Sequence, residues 1–133
     1  MPVKNGAKFL SESIPNLLEM AEPDDEILVV DDNSSDNSPQ LIKEYCRMDS
    51  RLNLVKNKET GLVGALNLGL KESQNEWVAR CDVDDKYSIN RLKAQREKIS
   101  KNSVAIFSDY TFFSESIENL GRIPSALTAG LFS

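Results

Sequence analysis

Five aspartates fall in two tight groups, Asp31 and Asp32 in "ILVVDDNSSDNS" and Asp82, Asp84 and Asp85 in "WVARCDVDDKY", each directly after a short apolar run. Carboxylates this close repel one another and raise one another's pKa unless a cation lies among them. Hard oxygen donors select magnesium, manganese or calcium, and magnesium characteristically takes one or two carboxylates and fills its other positions with water and substrate phosphate. The spacing suits that use. In extended chain Asp82 and Asp84, two apart, point to one side, whereas Asp85 points to the other unless the backbone turns. A few aspartates can in this way let an acidic domain receive an anionic diphosphate. Each group alone has a plain structural alternative, because aspartates after strands often cap helices or close turns, and Asn33, Ser34, Ser35 and Asp36 are all good turn and N-cap residues.

Composition limits what else the chain can do. With 133 residues, 40% hydrophobic and 28% charged, it has the size and apolar content of one globular domain. Sixteen basic against 21 acidic residues, with no basic cluster, argue against a protein that grips nucleic acid through its phosphates. Histidine is absent, so the commonest general base and the usual transition-metal ligand are both missing. Cys46 and Cys81 stand in no metal-binding spacing, and no secretory signal or long apolar segment is recognisable, which makes a reducing cytoplasm the expected compartment.

To place the aspartates, the chain must alternate strands and helices. Apolar runs at 27–31 ("ILVVD"), 52–56 ("LNLVK"), 77–81 ("WVARC") and 104–108 ("VAIFS") predict strands, and the opening "MPV" reads as the tail of another. A helix is predicted through "AKFLSESIPNLLEM", kinked or opened in its second half by Pro15, which offers no amide proton to Ser11. Further helices are predicted over 38–48, with Leu41, Ile42, Tyr45 and Met48 on one face and Asp36 or Asn37 as caps; over 62–72, burying Leu62, Ala65, Leu66 and Leu70; and over 89–99, with Ile89, Leu92 and Ile99. This alternation predicts an α/β fold, a three-layer α/β/α Rossmann-like sandwich around a mostly parallel sheet. Ligands bind outside the carboxyl ends of such strands, so both aspartate groups are expected on one edge. "GLVGALNLG", with glycines at 61, 64 and 69, is not the dinucleotide pattern and does not follow the first strand. Close helix packing accounts for Gly64 and Gly69, and Asn67 is the polar residue there best placed to face a ligand.

The order "MPVKNGAKFL", "ILVVDDNSSDNS", "GLVGALNLGL", "EWVARCDVDDKYSINRL" resembles the nucleotide-binding half of family 2 glycosyltransferases with the A-type fold, over about residues 1–123. The resemblance implies an inverting transferase that uses Mn2+ or Mg2+ to move a sugar from a nucleotide diphosphate, most commonly of uridine, to a saccharide or lipid-linked acceptor. The family's usual work is bacterial surface polysaccharide or glycolipid assembly, at the inner face of the membrane, which implies peripheral membrane association of a full-length protein. Carried over by position, Pro2, Val3 and Lys4 pass beside the base, and Asp32, with Asp31 adjacent, hydrogen-bonds the base edge. Asp82 lies near the ribose and the metal, Asp84 ligates the metal, and Asn67 approaches the nucleotide. Arg91 matches a recurrent basic position, with a salt bridge to nearby acids as its alternative. Lys4 departs from the pattern, standing where many members stack an aromatic on the base; a lysine there could instead approach the phosphates.

The family's catalytic base is a carboxylate well beyond the Asp-x-Asp element. No residue is assigned to that role, Asp109 and Glu115 included. Residues 1–133 thus read as one nucleotide-binding domain, incomplete at both ends and inactive in isolation. Two alternatives remain: a catalytically inactive A-type domain, and a response-regulator receiver in which Asp31 and Asp32 bind magnesium beside a phosphoacceptor at Asp82 or Asp84. Against the receiver stand the unexplained N-terminal helix and the absence of lysine after Lys101.

Overall fold

The computed structural model describes the backbone of residues 1–114 and 117–123 and the side chains of residues 1–109. They form two compact units, the first Met1–Ile89 and the second beginning at Asn90. The first holds a parallel sheet in the order β1 (Pro2–Val3), β2 (Ile27–Asp31), β3 (Leu52–Lys56), joined through helices α1 (Ala7–Met20) and α2 (Ser38–Met48) and followed by α3 (Leu62–Glu72). The registers Val3↔Asp31 and Asp31↔Lys56 bring the carboxyl ends of all three strands to one edge.

Helix spacing explains the core. Leu10, Ile14, Leu17 and Met20 line one face of α1 and are buried with Val3, Ile27, Val29, Val30, Ile42, Leu52 and Ala65. Pro15 does not open α1, which runs unbroken to Met20. Pro15 and Ser11 both sit on its exposed face, where the carbonyl that loses an amide partner can meet water. The end of α1 is closed from outside: Arg51 donates through Nη1 to the Ala21 carbonyl at 2.8 Å and through Nη2 to the Leu18 carbonyl at 3.3 Å. The same guanidinium is clamped by Asp49 at 3.0 and 2.7 Å. A cation there meets the negative end of the helix.

Several expected elements are corrected. Residues 77–80 form no ladder, although Cys81 is buried. The open sheet edge at β1 has only two residues, one of them a proline without an N–H, so the apolar run finds little backbone to pair with. Residues 104–108 are likewise not a strand, and Val104 is 96% exposed. In the second unit pairing is local instead, an antiparallel hairpin of β4 (Tyr110–Ser114) and β5 (Ile117–Ile123). The helix expected over 89–99 is confined to α4 (Arg91–Arg96), and Ile89 and Ile99 are exposed. Met48 on α2 is 80% exposed, and Leu62 and Leu70 on α3 are more than half exposed. Periodicity marks the apolar face of a helix, whereas a three-stranded sheet covers only part of it. Glu115 and the apolar residues from 124 onward lie outside the described residues. Among the described residues no helix is long and apolar enough to cross a membrane.

Candidate functional site

The carboxyl edge of the sheet opens into a cleft of about 360 Å3 lined by Pro2, Val3, Lys4, Asp32, Gly61, Leu62, Arg80, Asp82, Val83 and Asp84. Chain segments after β1, after β2, before α3 and around the Asp-x-Asp element therefore converge, as expected for a parallel sheet.

Two loops are laced together to make one wall. Asn5, in a left-handed conformation with φ 53°, accepts at Oδ1 from the Ser35 amide at 2.8 Å, and its own amide donates to Ser34 Oγ at 3.0 Å. The Gly6 amide donates to Ser38 Oγ and the Ala7 amide to Asp36 Oδ2, both at 3.0 Å. A Cβ at Gly6 would crowd Val3 Cγ1 at 3.1 Å and both Val83 methyls at 3.3 Å, so those side chains would have to give by a few tenths of an ångström. Asp36, not Asn37, bonds the start of α2, accepting from the Ser38 amide at 3.0 Å. The polar run "NSSDNS" thus both closes a turn and fixes Lys4 at the cleft.

Asp32 is buried and tightly held. Its Oδ1 accepts from Asn57 Nδ2 at 2.8 Å and from the Gly61 amide at 2.9 Å, and its Oδ2 lies 3.1 Å from that amide and 3.6 Å from Lys4 Nζ. Burial alone would raise its pKa, but the hydrogen bonds from Asn57 and Gly61, together with Lys4, hold it below the usual carboxylate range. Asn57 is itself 2% exposed and accepts at Oδ1 from the Glu59 amide at 3.1 Å. Gly61 presents its amide with φ 107°, which favours glycine. Asp31 is buried beside Asp32 but turned into the loop, where Oδ1 accepts from the Ser34 amide at 3.1 Å.

The opposite wall is the Asp-x-Asp loop, fastened by Tyr87 and Asn16. Tyr87 donates its amide to Asn16 Oδ1 and accepts from Asn16 Nδ2 at its carbonyl, each at 3.1 Å. Its hydroxyl accepts from the Asp82 amide, and lies 3.1 Å from the Asp82 carbonyl and 3.3 Å from Asp85 Oδ2. Burial, reinforced by the nearby aspartates, pushes the phenol pKa well up, and it stays protonated as a donor. Arg80 Nε and Nη2 reach Asp82 Oδ1 and Oδ2 at 3.3 and 2.9 Å. Asp84 lines the same cleft, exposed and with no hydrogen bond or ion pair to any described residue.

The structure thus brings Pro2, Val3, Lys4, Asp32, Asp82 and Asp84 together. It does not bring Asn67, which sits exposed on α3 and is not among the lining residues. Arg91 belongs to the second unit. Sequence reasoning missed Arg80, Asn57, Tyr87 and Asn16. Arg80 alone had a signal, a charge inside an apolar run in alternation with Asp82 and Asp84. As for metal, no group of three or more His, Cys, Asp or Glu among the described residues is arranged to hold an ion. The donor set still fits a hard cation of the magnesium type, which takes one or two carboxylates: Asp84 has free oxygens and Asp82 lies two residues away.

The chain is similar to proteins of known kind along its whole length. It is 30% identical over all 133 residues to an uncharacterized glycosyltransferase of Rickettsia bellii, covering 19% of that protein. Over 79% of its length it is 35% identical to the UDP-Glc:alpha-D-GlcNAc-diphosphoundecaprenol beta-1,3-glucosyltransferase WfgD of Escherichia coli, covering 41% of it. Among solved structures, the mannosyltransferase PcManGT of Pyrobaculum calidifontis, in complex with GDP-Man and Mn2+, superposes with a TM-score of 0.69 at 28% identity, over 77% of this chain and 32% of that one. The chain therefore spans half or less of the length of these relatives. The fold is the A type seen in such transferases. The family described as "Glycosyl transferase family 2" matches residues 1–125, and the chain belongs to that family.

Proposed function

We propose that the cleft binds a nucleotide-diphosphate sugar, for inverting transfer of the sugar to a saccharide or lipid-linked acceptor. The observation behind this reading is the convergence of Lys4, Asp32, Asp82 and Asp84 on one cleft at the carboxyl edge of the sheet. Asp32, held by Asn57 and Gly61, presents a fixed acceptor to the edge of the base, and Pro2 and Val3 form the apolar floor beside it. Asp31, whose carboxylate is spent on the loop, supports Asp32. Asn67 would take part only through a part of the nucleotide that extends beyond this cleft. Asp84, with Asp82, would hold Mn2+ or Mg2+, which when bound supplies positive charge to the diphosphate. Lys4, half exposed and 3.6 Å from Asp32, adds a cation to the cleft and could reach the phosphates only by leaving that carboxylate. UDP-glucose and GDP-mannose are named for two relatives, so uridine and guanosine are the bases to try.

Direct displacement also needs a carboxylate to deprotonate the acceptor hydroxyl. None of the cleft aspartates is assigned that part, since Asp32 and Asp82 are each paired with a cation and Asp84 is given to the metal. Family membership sets aside the receiver reading, in which α1 has no place. Calorimetry with UDP and GDP tests the proposal: one should bind in the presence of Mn2+, and Asp32→Ala should weaken it about tenfold with or without metal, the worth of one hydrogen bond to a charged acceptor. Binding unchanged in Asp32→Ala would overturn it.

A further inference from the structure

Of the three carboxylates in the cleft, Asp32 has Lys4 as its cation and Asp82 has Arg80, whereas Asp84 has none among the described residues. The two pairs differ in kind. Asp32 is buried and bound by Asn57 and Gly61 as well, so the departure of Lys4 would leave it satisfied. Asp82 has both oxygens engaged by the fork of one guanidinium, which is the geometry that Arg forms equally with a phosphate. The Arg80 side chain is 59% exposed, and a surface ion pair of this type is weak and readily exchanged. A diphosphate beside it carries more charge and offers pairs of oxygens that the same fork can bind in bidentate fashion.

Resting on the reading of the cleft given above, we propose that Arg80 is a donor-phosphate ligand that also guards Asp82. With its fork on Asp82, Arg80 competes with a divalent ion for that carboxylate, and the ion has Asp84 alone. When a diphosphate arrives, the guanidinium exchanges the carboxylate for phosphate oxygens, and Asp82 is released to the ion. Cation and nucleotide therefore bind better together than either does singly. The cleft has two cationic and three anionic side chains, so one divalent ion turns its balance from net negative to net positive, which an anionic donor requires.

The test separates the two roles because Arg80→Gln should move them in opposite directions. Titrated with Mn2+ alone, the variant should bind about three- to tenfold more tightly than the parent, because Asp82 joins Asp84. Titrated with UDP or GDP in chelator, it should bind about tenfold more weakly, because a charge-assisted fork is lost. Arg80→Lys, which keeps the charge without the fork, should fall between parent and Gln variant in both. Mn2+ affinity equal to or weaker than the parent's would overturn the guarding role, and unchanged nucleotide affinity in chelator would overturn the phosphate role. If the parent binds neither nucleotide under any condition, the reading of the cleft itself fails and the phosphate role with it. The Mn2+ titration still decides the competition for Asp82.

Discussion

Replacing Asn57 by alanine isolates the contact that orients Asp32. The carboxylate can only accept, and the Glu59 amide can only donate, so the Asn57 amide has one orientation that serves both, Nδ2 to Asp32 at 2.8 Å and Oδ1 to Glu59 at 3.1 Å. Loss of the bond to the charged group costs about 1.5–3 kcal/mol and loss of the neutral one about 0.5–1.5 kcal/mol. Asn57 is 2% exposed, so water does not readily take its place, and Asn57→Ala should destabilise the domain by about 2–4 kcal/mol. Against a typical stability of about 5–15 kcal/mol that is a large fraction. In urea, with a slope of about 1–3 kcal/mol per molar, the midpoint should fall by about 1–2 M at unchanged slope. The exposed Asn53→Ala should stay within about 0.5 kcal/mol of the parent. The pH dependence has a definite sign. The pKa of Asp32 is lowered on folding, so its contribution is present above the unfolded carboxylate value and lost as the pH falls through the folded one. The penalty of Asn57→Ala should shrink accordingly in acid. An unfolding midpoint equal to the parent's at neutral pH would refute the orienting role.

Four further outcomes follow from named contacts. Asp49 is drawn from the ordinary 3.8 down to about 2 by hydrogen bonds from Arg51, so the stability it lends should be complete above about pH 4 and lost as pH falls toward 2, whereas Arg51→Ala should show no such step in an acid-unfolding series. At Gly64 a Cβ would lie 3.2 Å from Glu59 Cβ and 3.4 Å from Asn57 Nδ2, so Gly64→Ala should be neutral to destabilising and should weaken nucleotide binding through Asn57. Gly69→Ala, whose Cβ would meet Val30 Cγ2 at an ordinary 3.5 Å, should stabilise the domain by the helix-propensity gain of about 0.5–1 kcal/mol, read as a raised thermal midpoint. Tyr87→Phe removes the hydroxyl that ties the Asp-x-Asp loop and should weaken Mn2+ binding severalfold with about 1 kcal/mol lost in stability, measured by calorimetry and urea unfolding.

Much of the first unit was legible from the sequence. "ILVVD" and "LNLVK" are strands with the expected limits, and the helices over 7–20, 38–48 and 62–72 begin and end where their periodic patterns do. Strand-end geometry led to the expectation that Asp32, Asp82 and Asp84 converge, and they do although no strand precedes Asp82; Lys4 was placed there by the family resemblance. "WVARC" misled because β-branched and aromatic content measures fitness for a sheet, while a ladder also needs a neighbouring edge, and β1 offers two residues. Arg80 was hidden in that same run. Asn57 and Asn16 were invisible for a different reason: each is a polar residue whose partner lies 25 and 71 positions away, and no local pattern distinguishes it from a solvated one. Asn67 was read from its place in a helix, but the facing direction of α3 is set by packing on β1 and β2.

The central claim is that this cleft receives a nucleoside diphosphate through a cation held by Asp84. Calorimetric titration of UDP and GDP into the parent and Asp84→Asn, each with Mn2+ and with chelator, tests it directly. Asp84 is exposed and makes no contact with described residues that its replacement would break, so the fold should be unaffected. The account predicts markedly tighter binding with Mn2+ than with chelator for the parent, and no difference between the two for Asp84→Asn. Equal affinity in all of these titrations, or an Mn2+ advantage that survives in Asp84→Asn, would contradict it.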